Sequence, residues 1–182
     1  MPSGLHRLGR ATSCETYPQE GRALTREQRH FRKVMGNFPT GVTVVTSRSP
    51  DASPCGLTAN SVASVSLHPL LVLVCLDRAA SSHGCITQGG AFAISVLSSD
   101  DEELARRFAQ GGWRDRFRNI DLQEAVTGSP ILARALAWMD CRVTEVYEAG
   151  DHSIVVGEVV ACEARDGDPL IFFRGKYHRM RV

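Results

Sequence analysis

The tightest constraint on the fold of this chain lies between Gly56 and Leu76, where two extended runs meet at Pro69. From Val62 to Leu67 the residues alternate. Val62, Ser64 and Ser66 are directed to one side and Ala63, Val65 and Leu67 to the other, the period of a β-strand. Pro69 ends that strand, and Leu70-Leu71-Val72-Leu73-Val74-Cys75-Leu76 reads as a second one buried on both faces. Ahead of them, Gly56-Leu57-Thr58-Ala59-Asn60-Ser61 interleaves hydroxyls and an amide with small residues. Gly56, Ala59 and Ala63 keep the surface low, so a flat molecule could approach the backbone closely. Such a wall suits a neutral, polar, planar ligand with many hydrogen-bonding edges. It also suits an ordinary half-exposed strand, which for a hydroxyl-rich edge is the commoner case.

The 182 residues make one domain large enough for a proper core. Hydrophobic residues at 43% and charged residues at 23% are ordinary for a soluble globular protein. A net charge of +1 gives no broad electrostatic case for nucleic acid or an acidic membrane surface. No run of 18 apolar residues is present to span a bilayer, and Arg7 and Arg10 precede no apolar signal segment. Six cysteines are scattered without a C-x-x-C pair. That argues against a metal site and against a disulfide framework, and reduced thiols in a cytoplasm are expected. Cys75, inside an apolar run, is expected to be a small core residue.

Residues 1–24 lack any period and read as a mobile arm; residues 25–182 form the folded domain. Thr25 and Gln28 make a capping box, and Phe31, Val34, Met35 and Phe38 an apolar stripe on a helix that Gly36 weakens and Pro39 closes. Gly41 to Thr46 is a β-branched strand, Ser47 to Cys55 a loop, and Gly56 to Leu67 one further strand. Ser81 or Ser82 caps a short helix, His83 to Thr87. With Arg78 nearby this is either a phosphate seat or merely a capped helix. Ala91 to Leu97 is a strand. Ser99 and Glu102 bracket a second capping box, with Leu104, Ala105, Phe108 and Ala109 facing inward. Gln110 to Phe117 is a glycine-rich, basic, aromatic loop of a kind that often closes over a ligand. Ala137 to Val146 reads as a strand broken by Asp140, His152 to Cys162 as another, and Leu170 to Phe173 with Lys176 to Met180 as a last hairpin. Seven or eight strands with few short helices point to a closed or partly closed antiparallel barrel. The chain has no Rossmann fingerprint, Walker A motif or G-x-S-x-G elbow.

Five motifs then occur in a familiar order. They are Phe38 to Thr46; Gly56 to Ser61 with Ser64-Val65-Ser66 and Pro69; Phe92 to Leu97; Gly150-Asp151-His152; and Gly175-Lys176-Tyr177. Over about residues 28–180 the chain resembles the flavin reductase-like proteins. These are short-chain NAD(P)H:flavin oxidoreductases that supply reduced flavin to two-component monooxygenases, here most like the partners found in actinomycete natural-product (antibiotic biosynthesis) pathways. The resemblance implies a mainly β split β-barrel with a few short flanking helices, a homodimer, and FAD or FMN held near the subunit interface. It places Thr58, Ala59, Asn60 and Ser61 along the isoalloxazine edge and ribityl chain, with Thr43 and Val44 nearby. Asp77, Arg78, Ser81, Ser82 and His83 match the loop that holds ribityl and phosphate groups. His152 would line the nicotinamide side, Phe117 pack on the cofactor, and Tyr177 match the C-terminal Gly-x-Tyr. NADH is expected over NADPH, because no Arg/Lys cluster for a 2′-phosphate stands out. A flavin-dependent monooxygenase is the expected partner. Two positions depart from the pattern: Pro69-Leu70 replaces a double proline, and Asp77 stands where Asn is usual, an acid that would repel a phosphate. A flavoenzyme with its own organic substrate, or a non-catalytic flavin-binding barrel, would share these motifs.

Overall fold

The computed structural model describes residues 24–110 and 113–180, with Trp113 and Arg114 as backbone only. The expected arm therefore lies, save for Leu24, outside the described residues, as does the centre of the glycine-rich loop. Along the chain, helix α1 (Arg26–Met35) leads into β1 (Thr40–Gly41), β2 (Thr43–Arg48), β3 (Pro54–Ala59), β4 (Val62–Leu67) and β5 (Leu70–Asp77). Helix α2 (His83–Gln88), β6 (Ala91–Val96), α3 (Glu102–Gln110) and α4 (Trp113–Arg116) follow. The two-residue strands β7 (Leu122–Gln123) and β8 (Ile131–Leu132) precede a long hairpin, β9 (Ala137–Ala149) and β10 (His152–Ala164). The pair β11 (Leu170–Phe173) and β12 (Lys176–Arg179) completes the described chain.

Seven strands form one antiparallel sheet in the order β3-β2-β6-β9-β10-β5-β4. Its two edge strands, β3 and β4, are consecutive in the chain and separated only by Asn60 and Ser61. A sheet whose first and last members are one continuous segment must roll on itself, which makes it a barrel. The Cys75 N–H donates to the Ser61 carbonyl at 3.1 Å, just where the segment passes from one edge to the other. The interior is filled by alternate residues of six strands: Val45, Leu57, Ala59, Val72, Val74, Leu76, Phe92, Ile94, Cys141 and Val155, with Ile86 of α2. A second cluster outside it joins Val42, Val44 and Leu97 to Ala105 and Phe108 of α3 and to Leu132, Ala135 and Leu170. Gly157 is required inside, because a Cβ there would lie 2.6 Å from the Phe92 ring.

Several sequence expectations are corrected. Gly56 to Leu67 is two strands on opposite sheet edges, broken at Asn60-Ser61. The alternation through β4 is interrupted by a bulge: Ser64 pairs Val72 and Ser66 pairs Leu71, leaving Val65 as the extra residue. β5 is buried on one face only, through Val72, Val74 and Leu76, while Leu73 and Cys75 are half-buried on the other; Cys75 is thus not a core residue. Asp140 does not break β9. It is fully buried within it, and its carboxylate accepts hydrogen bonds from the backbone N–H groups of Val126 and Thr127 at 2.8 and 2.7 Å and from the Thr127 hydroxyl. The capping box of α1 forms as expected, but no residue of that helix is buried. At α3 the partner of the helix start is Ser98, whose N–H and hydroxyl both donate to Asp101. Glu102 instead accepts from Arg106, and Ala109 faces solvent.

The expectation of reduced thiols also gives way. Cys55 of β3 and Cys85 of α2 are joined in a disulfide, leaving Cys75, Cys141 and Cys162 free among the described residues. The two partners are 30 positions apart, and only the rolled sheet brings α2 onto β3. No described helix is long and apolar enough to cross a membrane.

Candidate functional site

A cavity of about 1320 Å³ opens where β3 passes into β4. Its walls come from Gly36 to Gly41 at the exit of α1, Thr43, the Asn60 to Ala63 crossing, Leu73 and Cys75 of β5, and Phe172, Arg174 and Gly175. The volume exceeds the roughly 300–1,000 Å³ of an ordinary small-molecule pocket. Most of the lining is apolar, it carries three cations (Arg32, Lys33, Arg174), and no carboxylate is among the lining residues. That composition suits a large flat body with an anionic tail.

The structure brings part of the expected constellation to this cavity. Thr43, Asn60 and Ser61 line it. The Asn60 amide donates to the Thr40 hydroxyl at 3.2 Å, which leaves its oxygen available at the wall. Two hydroxyls there already have acceptors: Thr43 donates to the Ala59 carbonyl at 2.7 Å and Ser61 to the Cys75 carbonyl at 2.8 Å. What they present to a ligand is lone pairs, not protons. Cys75 lies on the same wall, and burial pushes its thiol pKa up.

The remaining expected residues lie elsewhere. Val44 and Ala59 are packed into the two hydrophobic clusters. Thr58 donates to the Ala105 carbonyl at 2.6 Å and so fastens β3 to α3. Phe117 meets Phe108 edge to face at 5.0 Å, and Tyr177 packs against Phe172 at 5.4 Å with the Arg106 guanidinium over its ring. Burial raises the Tyr177 phenol pKa.

Asp77, Arg78, Ser81, Ser82, His83 and His152 gather beyond Cys75 on the β5 side. Asp77 is two residues on from Cys75, on the same face, and pairs directly with His152 in the ladder. That face runs from the cavity wall to Asp77 and His152, whereas Ser82 and His83 turn to the opposite, interior side, Ser82 onto Gly56 and His83 onto Ser153, the ladder partner of Leu76. The Asp77 carboxylate accepts the Ala79 N–H at 2.8 Å and shapes the turn; Arg78 pairs with Glu148 at 3.6 Å. Ser81 is exposed. Ser82 occupies the cap position of α2 without capping it: its hydroxyl is buried and donates to the Gly56 carbonyl at 2.8 Å, while Arg116 donates to both. His83 Nε2 meets the buried Ser153 hydroxyl at 2.9 Å, and its imidazole pKa is lowered by burial first and by Arg78 second. His152 Nδ1 contacts the Asp151 carboxylate at 2.8 Å, a bond that lowers the Asp151 pKa.

Sequence reading missed Arg32, Lys33, Asn37, Phe172 and Arg174 as cavity residues. The available signal was the basic pair in the last turn of α1 beside the Phe-Pro-Thr-Gly segment, but nothing local says that Arg174 joins them.

With fold and cavity in hand, comparison with known proteins assigns the class: residues 35–181 match the flavin reductase like domain, and the chain belongs to that family. It is 44% identical over 151 residues to the FMN reductase (NADH) SmoA of Agrobacterium fabrum, covering 83% of this chain and 85% of that protein. It is 39% identical to the flavin-dependent monooxygenase reductase subunit HsaB of Rhodococcus jostii, over 83% of this chain and 77% of the relative. Among solved structures, the Streptomyces globisporus C-1027 NADH:FAD oxidoreductase SgcE6, in complex with NAD and FAD fragments, superposes with a TM-score of 0.79 at 38% identity. That match covers 88% of this chain and 98% of the other. These likenesses agree with the split-barrel class expected from the motifs.

Proposed function

We propose that the protein catalyses NADH-dependent reduction of FAD or FMN and hands the reduced flavin to a separate monooxygenase. The observation that carries this reading is the large, carboxylate-free cavity at the crossing of β3 and β4, apolar in its body and cationic at one rim. A bound flavin would supply the redox chemistry. Asn60 and the exposed backbone at the crossing would take the polar edge of its ring, and Thr43, Ser61 and Cys75 would floor it. The loop at Arg78 and the exposed Ser81 would receive the flavin phosphate, while Ser82 holds that loop on Gly56 and Asp77 reaches it as a turn-forming acceptor. His152, at the edge of the same face, would orient the nicotinamide. The residues act by alignment, bringing the two rings to a near-attack separation of about 3–3.5 Å and excluding water.

The reading includes a homodimer. Phe31, Val34, Met35 and Phe38 stand 65%, 54%, 51% and 67% exposed, the last two also lining the cavity, and form an apolar stripe that a second copy would cover. Sedimentation should give twice the chain mass. We place the protein in the cytoplasm beside the NADH pool, where a Cys55–Cys85 bond would be open to cellular dithiols. The partner oxygenase is assigned to secondary-metabolite biosynthesis on the motif resemblance. The deciding assay follows NADH absorbance at 340 nm with FAD, FMN or riboflavin. Oxidation that saturates in added flavin is expected; no oxidation with any flavin overturns the reading.

A further inference from the structure

Arg32 and Lys33 from the last turn of α1 and Arg174 from the β11–β12 turn stand on one rim of the cavity. None of the three has an ion-pair partner among the described residues. Three exposed cations at one cavity mouth, with no carboxylate among the lining residues, give it a positive potential that favours an anion. The rim is also built, not merely populated. The Asn37 amide nitrogen donates to the Lys33 carbonyl at 2.8 Å, and its oxygen accepts both Nε and Nη2 of Arg174 at 3.0 and 2.7 Å. The Arg174 N–H donates to the Gly36 carbonyl at 2.9 Å, and its guanidinium stacks over Phe173 at 4.9 Å. An exposed arginine held by four contacts has little rotamer freedom left to lose on binding. One guanidinium nitrogen, Nη1, makes no described bond and stays available.

This rim is not the loop at Arg78, Ser81 and Ser82, none of which lines the cavity. Between the two seats lie the Asn60–Thr40 bond, the Ser61–Cys75 contacts, and the strand face running on through Asp77 to His152. One continuous surface thus leads from the cationic rim past the crossing to Asp77 and His152, with Arg78 and the exposed Ser81 beyond them. Resting on the proposed function, which brings two phosphate-bearing molecules together on that surface, the division is direct. We propose that Arg32, Lys33 and Arg174, with Arg174 positioned by Asn37, bind the pyrophosphate of the nicotinamide dinucleotide, while the far loop serves the flavin.

The test uses Arg174→Gln and the double variant Arg32→Gln/Lys33→Gln in the full chain, with NADH as donor and either FMN or riboflavin as acceptor. Riboflavin carries no phosphate, so it separates the two possible anions. We expect KM for NADH to rise about tenfold, the scale of one charge-assisted contact, with kcat retained and the same factor for both acceptors. Binding of ADP-ribose, measured by calorimetry without turnover, should weaken by a similar factor, while FMN affinity stays at the wild-type value. Added salt should raise the wild-type KM more than the variants'. Asn37→Ala should reproduce the Arg174→Gln effect in weaker form. An effect that disappears with riboflavin, or that appears in FMN affinity, would reassign the rim to the flavin phosphate and overturn the proposal. Unchanged NADH KM and ADP-ribose affinity would also overturn it. Wild-type protein that oxidises no NADH but binds ADP-ribose through these residues would sink the reductase reading alone.

Discussion

Asn60 and Asp140 show how differently two polar side chains can serve one barrel. Asn60 is exposed at the cavity wall and holds only Thr40, so Asn60→Ala should leave the melting temperature nearly unchanged. If its oxygen meets the flavin edge, flavin affinity measured by fluorescence quenching should fall about five- to tenfold, the value of one hydrogen bond. Asp140 is fully buried and gathers the 126–127 loop through three acceptor bonds. Asp140→Ala would leave two backbone N–H groups and a hydroxyl without their acceptor, and urea unfolding should show a loss of about 3 kcal/mol. Sequence alone separated these roles poorly. Asn60 stood out because hydroxyls and small residues surround it. Asp140 looked like a strand breaker because its partners are loop N–H groups 13 and 14 positions away, which no local pattern reveals. Thr58 was legible as a hydroxyl on a strand, but its acceptor, the Ala105 carbonyl, is 47 positions distant.

At the scale of elements, what is local in the chain was readable and what depends on neighbours was not. The α1 capping box needs only residues three apart, and it forms. The second box was misassigned because Asp101 competes successfully for Ser98. The α1 stripe has the right period, yet it faces outward, since period says that a face is apolar without saying what covers it. Helix α2 carries a measurable pH signature. The folded-state pKa of His83 lies below its ordinary value, chiefly through burial, so the unfolded chain binds more protons in the window between the two. Its contribution to stability is complete above the usual imidazole value of about 6.5 and is lost as pH falls through the folded pKa. The melting temperature of wild type should therefore drop more between neutral and mildly acid pH than that of His83→Gln; parallel curves would remove His83 from the account. The same helix is pinned to β3 by the Cys55–Cys85 bond, whose 30-position separation implies about 3.6 kcal/mol from constraint of the unfolded chain. Cys85→Ser, or wild type under dithiothreitol, should melt correspondingly lower, and mass spectrometry after alkylation should count two fewer free thiols in the oxidised protein.

For the whole molecule, the barrel class could be anticipated from turn spacing, whereas the strand count, twelve against seven or eight expected, and the sheet order could not, because they depend on short pairings and on partners far apart in the chain. The order decides the site: it sets the two edges next to each other at Asn60-Ser61 and so opens the cavity there. It also leaves β4 as an outermost strand bearing Val65 and Leu67, 48% and 74% exposed. The extra residue at Val65 puts a kink in that border, and a kinked, twisted border is a poor template for recruiting stray chains. Deleting Val65 would straighten the border and leave Leu67 on a regular, unpaired edge, and the foreseeable result is less soluble protein and more fibrous precipitate from the same expression culture. An irregularity that looks like a flaw in the ladder would then be what lets a greasy-edged barrel remain dispersed at working concentration.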